Sequence, residues 1–269
     1  MKKNRITIRV GHSTLSFSAF NVAASEHAAA QPEFIYEPYV VRSGVSIAAN
    51  LREAFKTSDM LATDTTKARV VIDGPVLMVP VELFEEQQMN LYYGHAFPDL
   101  TQSHVLYNVL PDLNAVAIFS INSDLKLVLD DHFHDVSYYC AMTPVWRHLH
   151  KRSFGGVRNK LYGYFHERQL DIFAFQQNRF KFCNQFEANR TNDALYFLLY
   201  VWQQLALDAS HDEIYLVGDL PSEDGLTDRL KEYIKKVKVI DPVDDFGESS
   251  LTKTKGVTYD LMTLYSKEL

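Results

Sequence analysis

The residues with the most metal-like spacing in this chain lie in DDHFHD, Asp130 to Asp135, followed downstream by His148 and His150. On a strand, His132 and His134 point to one face as an HxH pair, and Asp135 completes a ligand set suited to a metal-dependent hydrolase. On a helix the two rings stand about 200° apart, which breaks the set. Histidines in the last turn of a helix are also favoured by the macrodipole and need no metal. No second ligand motif stands elsewhere and the HxHxDH spacing of metallohydrolases is missing, so a structural role is expected and no metal is assigned.

Other catalytic patterns are missing too. The chain has no GxSxG elbow, no GxxxxGK[ST] loop, no GxGxxG and no CxxC, and no catalytic residue is assigned. Cys140 and Cys183 sit in apolar, strand-like contexts and read as buried thiols. Thr191, Asn192 and Asp193 make a helix start. The aromatic content of 13% falls largely on alternating or helical apolar positions such as Phe173, Phe175, Phe180 and Phe182, where core packing explains it.

Composition narrows the classes further. A chain of 269 residues, 46% hydrophobic, can fill one large core or two ordinary ones. A net charge of -7 gives no global pull toward nucleic acid. The basic run from Lys231 to Lys238 reads as the solvated face of a helix. Lys2, Lys3 and Arg5 precede a mildly apolar stretch that imitates a secretory signal, but Arg9, His12 and Asn21 interrupt it. The mature chain is therefore expected to start at Met1. No run approaches the about 18 apolar residues that a membrane span needs, and a soluble, cytoplasmic protein is expected.

The elements that would position a site occur twice. Ile6, Ile8 and Val10 alternate with polar neighbours, Gly11 to Thr14 make a turn, and Leu15, Phe17 and Ala19 alternate on the return. In the second half, Leu161 to Phe165 and Leu170, Ile172 and Ala174 flank a His166 to Arg168 turn. Each hairpin leads to an amphipathic helix, with Ile47, Leu51, Ala54 and Phe55 on the first stripe and Leu195, Leu198, Val201 and Trp202 on the second. VVIDGP, Val70 to Pro75, and IYLVGDLP, Ile214 to Pro221, follow. Offsets between equivalents run from 155 (Ile6 to Leu161) through 147 (Val45 to Asn192) to 145 (Val70 to Tyr215), which argues for duplication. Gly155-Gly156 marks the expected boundary, giving domains 1–155 and 156–269.

This order, with Ala117 to Lys151 reading as strand, acidic helix, strand and Pro-started helix, resembles the paired ribonuclease-H-like subdomains of the actin-like ATPases. The Ala117–Lys151 region is similar to that of the actin-like proteins of pilus assembly and type II secretion. Over nearly its full length, and most recognisably in NDALYFLLYVWQQLALD and DEIYLVGDLP, the chain resembles an uncharacterised bacterial family, a domain of unknown function with an actin-like fold. The resemblance implies an α/β, duplicated ribonuclease-H-like fold of two subdomains with mixed five-stranded sheets.

An actin-like ATPase needs a carboxylate on each first strand to hold magnesium and position water, and backbone N–H groups at its hairpin turns. The DxG pattern puts the first carboxylate at residue 9, where Arg9 repels magnesium. No Asp or Glu occurs from Asn159 to His166; Glu167 lies in the second turn and Asp171 on the return strand. In the adenosine loop, LVGDLPSEDGL, Gly218 is followed by Asp219 where a second glycine is wanted, and Asp219 suits a helix cap instead. If nucleotide binds, Gly11, His12, Ser13, Gly218 and Asp219 are the residues to contact it. The expected function is a non-catalytic scaffold or assembly partner lacking the ATPase machinery and working through protein contacts. A nucleotide-binding switch using ATP and magnesium, and a metal-dependent hydrolase at His132, His134 and Asp135, are the alternatives.

Overall fold

The computed structural model describes residues 5–21, 33–62, 66–100, 102–154, 158–177, 179–221 and 225–266. They fall into two compact units, one of Met1–Val109, Ala115–Thr143 and Glu248–Val257, the other of Leu110–Asn114, Pro144–Gly247 and Thr258–Leu269. Gly155 and Gly156 lie outside the described residues.

In the first unit, β1 (Arg5–Val10) and β2 (Leu15–Asn21) form the expected hairpin, and β3 (Glu33–Tyr39) extends it antiparallel. After α1 (Ile47–Thr57), β4 (Lys67–Ile72) pairs parallel with β1. A smaller module follows: β5 (Leu77–Pro80), α2 (Met89–Ala96), β6 (Ser103–Leu110) and β7 (Ala115–Asn122), with sheet order β5-β7-β6. Then α3 (Ser123–His132) leads to β8 (Asp135–Cys140), which pairs parallel with β4 and completes a mixed sheet, β3-β2-β1-β4-β8. Ile6, Ile8, Leu15 and Phe17 of this sheet are buried, as are Leu51 and Ala54 of α1 and Leu125 and Leu129 of α3. Asn108 stitches the small module to the edge of the large sheet: its Nδ2 donates to the Tyr138 carbonyl at 3.0 Å and its Oδ1 accepts from the Cys140 N–H at 2.9 Å.

The second unit contains α4 (Met142–Ser153) from Pro144 onward, then β9 (Lys160–His166), β10 (Gln169–Gln176), β11 (Arg179–Glu187), α5 (Thr191–Gln204), β12 (Glu213–Gly218), α6 (Leu226–Lys231), β13 (Val237–Val239), α7 (Pro242–Phe246) and α9 (Tyr259–Tyr265). The intervening α8 (Ser250–Lys253) belongs to the first unit. The sheet order β11-β10-β9-β12-β13 reproduces the first sheet strand for strand, with only the second strand of each repeat antiparallel to the rest. The duplication read from the sequence is therefore present in the topology. On one side, Leu161, Leu170, Ile172 and Leu216 pack with Leu198 and Trp202 of α5 and Leu230 of α6.

Several local expectations change. Ile8 pairs with Val70, and its equivalent Gly163 pairs with Leu216, so Val70 corresponds to Leu216 at an offset of 146, one residue on from the alignment with Tyr215. A one-residue slip in a strand exchanges the two faces, and only the ladder fixes it. Lys231 ends α6 while Lys238 lies on the edge strand β13, so the basic run is not one helical face. Asp219 caps no helix: α6 starts after Gly225, and residues 222–224 lie outside the description. Cys140 is buried but Cys183, on edge strand β11, is only half-buried. α5 does begin at Thr191, where the Asp193 carboxylate accepts from the Arg190 N–H at 3.2 Å.

Candidate functional site

The ends of the two first-strand hairpins are the natural place to look, because each collects the carboxyl ends of two parallel strands. In the first unit, Arg9 faces Val71 across the β1–β4 ladder, and Asp73 lies two residues further along, diagonal to it. The Asp73 N–H donates to the Val10 carbonyl at 2.9 Å, which carries the ladder one step past β4 and turns the carboxylate back over Arg9. Arg9 Nη2 stands 3.3 Å from Asp73 Oδ2, and the two side chains are 2% and 3% exposed. A buried guanidinium needs such a counter-charge, since an unpaired charge in that setting is prohibitively costly. Beside it, Gly11 N–H donates to the Thr14 carbonyl at 2.9 Å, and His12, Ser13 and Thr14 are exposed.

The second unit preserves the backbone of this arrangement and changes its chemistry. The Asp219 N–H donates to the Phe165 carbonyl at 2.9 Å, so Asp219 is the counterpart of Asp73, and Tyr164 that of Arg9. Asp219 is exposed, while the Tyr164 hydroxyl accepts from the Asp260 N–H at 3.3 Å. No equivalent of the Arg9–Asp73 pair forms from those two positions. Gly218 has φ +93°, and a Cβ built there would lie 2.1 Å from the Phe165 carbonyl oxygen. Its glycine is thus demanded by the neighbouring strand, independent of any base-binding role.

The hairpin turn itself is a two-residue one in which Glu167 and Arg168 both have positive φ, 45° and 68°. That is the geometry favoured between twisted strands, here built without glycine. It sets Gln169 opposite His166 and Asp171 opposite Tyr164, so His166 and Asp171 are diagonal neighbours on one face. His166 Nε2 lies 2.5 Å from Asp171 Oδ2, which also accepts from Gln185 Nε2 at 3.3 Å, and the His166 ring stacks on Tyr164 at 4.5 Å. The pair has the form in which a carboxylate orients an imidazole. Sequence reading passed over both this pair and Asp73. The signal was the polar residue two positions beyond each facing hydrophobe, which becomes meaningful only once the register is known.

The histidine–acid motif is dispersed over three elements. His132 is the last residue of α3, and its ring stacks on Phe55 at 3.7 Å and 8°, where burial lowers its pKa. His134 lies in the link to β8, its N–H held by the Thr66 carbonyl at 3.1 Å. Asp135 opens β8 and pairs with Lys67 at 2.7 Å, which holds its pKa below the usual carboxylate range. Among the described residues no ligand-spaced group of three includes any of them.

The solved structures place the fold. A Bacteroides thetaiotaomicron protein with actin-like ATPase fold and unknown function is 28% identical, with a TM-score of 0.80 over 94% of this chain and 97% of that one. The PilM–PilN type IV pilus biogenesis complex contains a chain 13% identical, with a TM-score of 0.58 over 97% of this chain and 98% of that one. No curated protein sequence matches. This chain has an actin-like ATPase fold, and it belongs to the family described as "Protein of unknown function (DUF3822)", which it matches over residues 1–237.

Proposed function

We propose that this actin-like-fold protein is a non-catalytic scaffold or assembly partner that works through protein contacts. The observation that carries the reading is the buried Arg9–Asp73 pair. Where the resemblance to actin-like ATPases expects a magnesium-side carboxylate, the first strand carries a cation, and the nearest carboxylate is engaged by it. In the second unit the carboxylate beside the hairpin, Asp171, is likewise engaged, by His166 and Gln185. A divalent ion would have to displace these partners before it could be held. The PilM of similar fold occurs in a complex with PilN, which supports a fold used for protein assembly.

The test has two arms on the full chain. Purified protein with millimolar Mg-ATP should release no phosphate above blank, and a tagged copy in native lysate should retain a stoichiometric protein partner. Hydrolysis, or a magnesium-dependent stabilisation by nucleotide, would replace the scaffold with an ATPase or a switch contacted through Gly11, His12 and Ser13.

A further inference from the structure

The outward stripe of α5 carries no charge. Asn192, Tyr196, Tyr200 and Gln203 are exposed, and their spacing of i, i+4, i+8 and i+11 sets them on one face of the helix. The two tyrosine rings confirm it: they lie 6.0 Å apart and 14° from parallel, and the residues are 63% and 46% exposed. Asp193, which flanks the stripe, is half-buried, and its carboxylate accepts from the Arg190 N–H. The fold itself does not ask for such a stripe. On α1, which follows the three-stranded meander of the first repeat as α5 follows that of the second, Arg52 and Lys56 occupy exposed i, i+4 positions, the ordinary composition of a solvated helix face.

Single exposed aromatic residues are common on protein surfaces, but tyrosines aligned with amides and without charge have the composition of a protein interface. Among the described residues neither tyrosine hydroxyl has a hydrogen-bond partner, and nor has the Gln203 amide; each of these groups both donates and accepts. Arg229 borders the stripe at the amino end of the helix, where its Nη1 donates to Asn192 Oδ1 at 2.6 Å. The charge complement of an uncharged stripe with a cation at its amino end is another uncharged stripe whose negative helix terminus meets that cation. A second copy of α5, run antiparallel, presents both.

We propose that the Asn192–Tyr196–Tyr200–Gln203 face of α5 docks on the same face of a second copy of this chain, the two helices antiparallel across a twofold axis. With Leu198 at the axis, Tyr196 faces Tyr200 of the second copy, Arg229 approaches the carboxyl end of the facing helix, and the two macrodipoles oppose. The helix has 14 residues and is about 21 Å long. One such face is smaller than a standard interface of about 1,200–2,000 Å², so the association is weak and reversible. This self-association goes beyond the scaffold reading and does not depend on it.

Sedimentation equilibrium of the full chain, from micromolar to several hundred micromolar, reads the association. The weight-average mass should climb from that of one copy toward that of two. Tyr196→Ala/Tyr200→Ala, which keeps good helix formers on the face, should weaken self-association at least about tenfold, or about 1.4 kcal/mol. Leu127→Lys, at an exposed position of α3 in the first unit, should leave it unchanged. Charge exchange tests the register: Tyr196→Lys/Tyr200→Lys and Tyr196→Glu/Tyr200→Glu should each stay a single copy, because like charges meet at the axis, while their equimolar mixture should associate. Circular dichroism checks that every variant folds. A wild type that stays a single copy at every concentration overturns the proposal, as does self-association indifferent to the alanine variant, or a mixture of folded lysine and glutamate variants that fails to associate. A lysate partner lost from the alanine variant while the wild type stays a single copy would give the stripe to a different protein and remove the second copy as its occupant. Phosphate release by the wild type would remove the scaffold reading and leave this result untouched.

Discussion

Arg9 and Asp73, 64 residues apart in sequence, meet as a buried ion pair at the carboxyl end of the first sheet's two central strands. The counterpart positions in the second repeat are Tyr164 and Asp219, which do not pair with each other as the first two do. One half of a duplicated fold thus carries an internal charge pair that its counterpart positions in the other half do not form. The pair consumes a carboxylate locally, and it makes the hairpin end part of the folded core.

Breaking the pair should therefore cost stability. Asp73→Asn or Arg9→Met takes this counter-charge away from the buried charge that remains, for an expected loss of about 3–5 kcal/mol in urea unfolding. Replacing both, Arg9→Met with Asp73→Leu, should recover most of that loss, because a buried pair stabilises little against an apolar substitute. Additive losses in the double variant would mean that the two side chains are energetically independent.

Gly218 gives a second stability test. Gly218→Ala meets both a positive φ and the Phe165 carbonyl oxygen, 2.1 Å from the added carbon. The backbone strain alone is about 1–3 kcal/mol, and each kcal/mol lowers Tm by about 2–4 °C in a chain of this size. A variant that melts with the wild type would show that β9 and β12 separate there at no cost.

Much of this fold was legible because the chain repeats it. Alternation gave β1, β2, β9 and β10, the apolar stripes gave α1 and α5, and the resemblance to the actin-like ATPases implied two like sheets. What escaped were relations set by register and by long-range contact. The one-residue slip of Val70 from Tyr215 to Leu216 is invisible in an apolar run whose neighbours all suit a buried strand. Asp73 drew no notice because its partner lies 64 residues away, and the His166–Asp171 pair appears only when a two-residue turn places them diagonally. Lys231 and Lys238 looked like one helix because the break after Lys231 contains no proline or glycine.

Acid should weaken the second unit through Glu213. Burial pushes its pKa up, but hydrogen bonds from Tyr215 and Arg158, aided by the charges of Lys238 and Arg158, bring it down to about 2 from 4.5. A carboxylate with a depressed folded-state pKa contributes stability that is present above pH 4.5 and is lost as pH falls toward 2. Wild-type stability in urea should therefore fall across that window more steeply than that of Glu213→Gln, whose lower stability at neutral pH should vary less. Parallel curves would locate the acid sensitivity elsewhere.

His132 and His134 should behave as structural residues. With one ring stacked on Phe55 and Asp135 held by Lys67, the motif has no shared centre. Purified protein should carry far less than stoichiometric zinc, and His132→Ala with His134→Ala should leave its metal content unchanged. Stoichiometric zinc lost in that double variant would restore the hydrolase alternative.

The nucleotide question is decided by linkage. A ligand that binds only the folded state raises stability by RT ln(1 + [L]/Kd), about 2.7 kcal/mol at 100 times Kd, which moves Tm by several degrees in a chain this long. Mg-ATP would have to approach a first hairpin whose Asp73 is already engaged by Arg9. The expected result is no shift in Tm with millimolar ATP or ADP plus magnesium. Gly218 substitutions make poor controls, since they disturb the strand pairing whether or not nucleotide binds. Ser13→Glu is the better control, because Ser13 is exposed in the first turn and a carboxylate there repels phosphate without touching the core. A magnesium-dependent shift in the wild type that Ser13→Glu abolishes, with the variant's own Tm unchanged, would identify the turn as a phosphate site and the protein as a nucleotide-responsive switch.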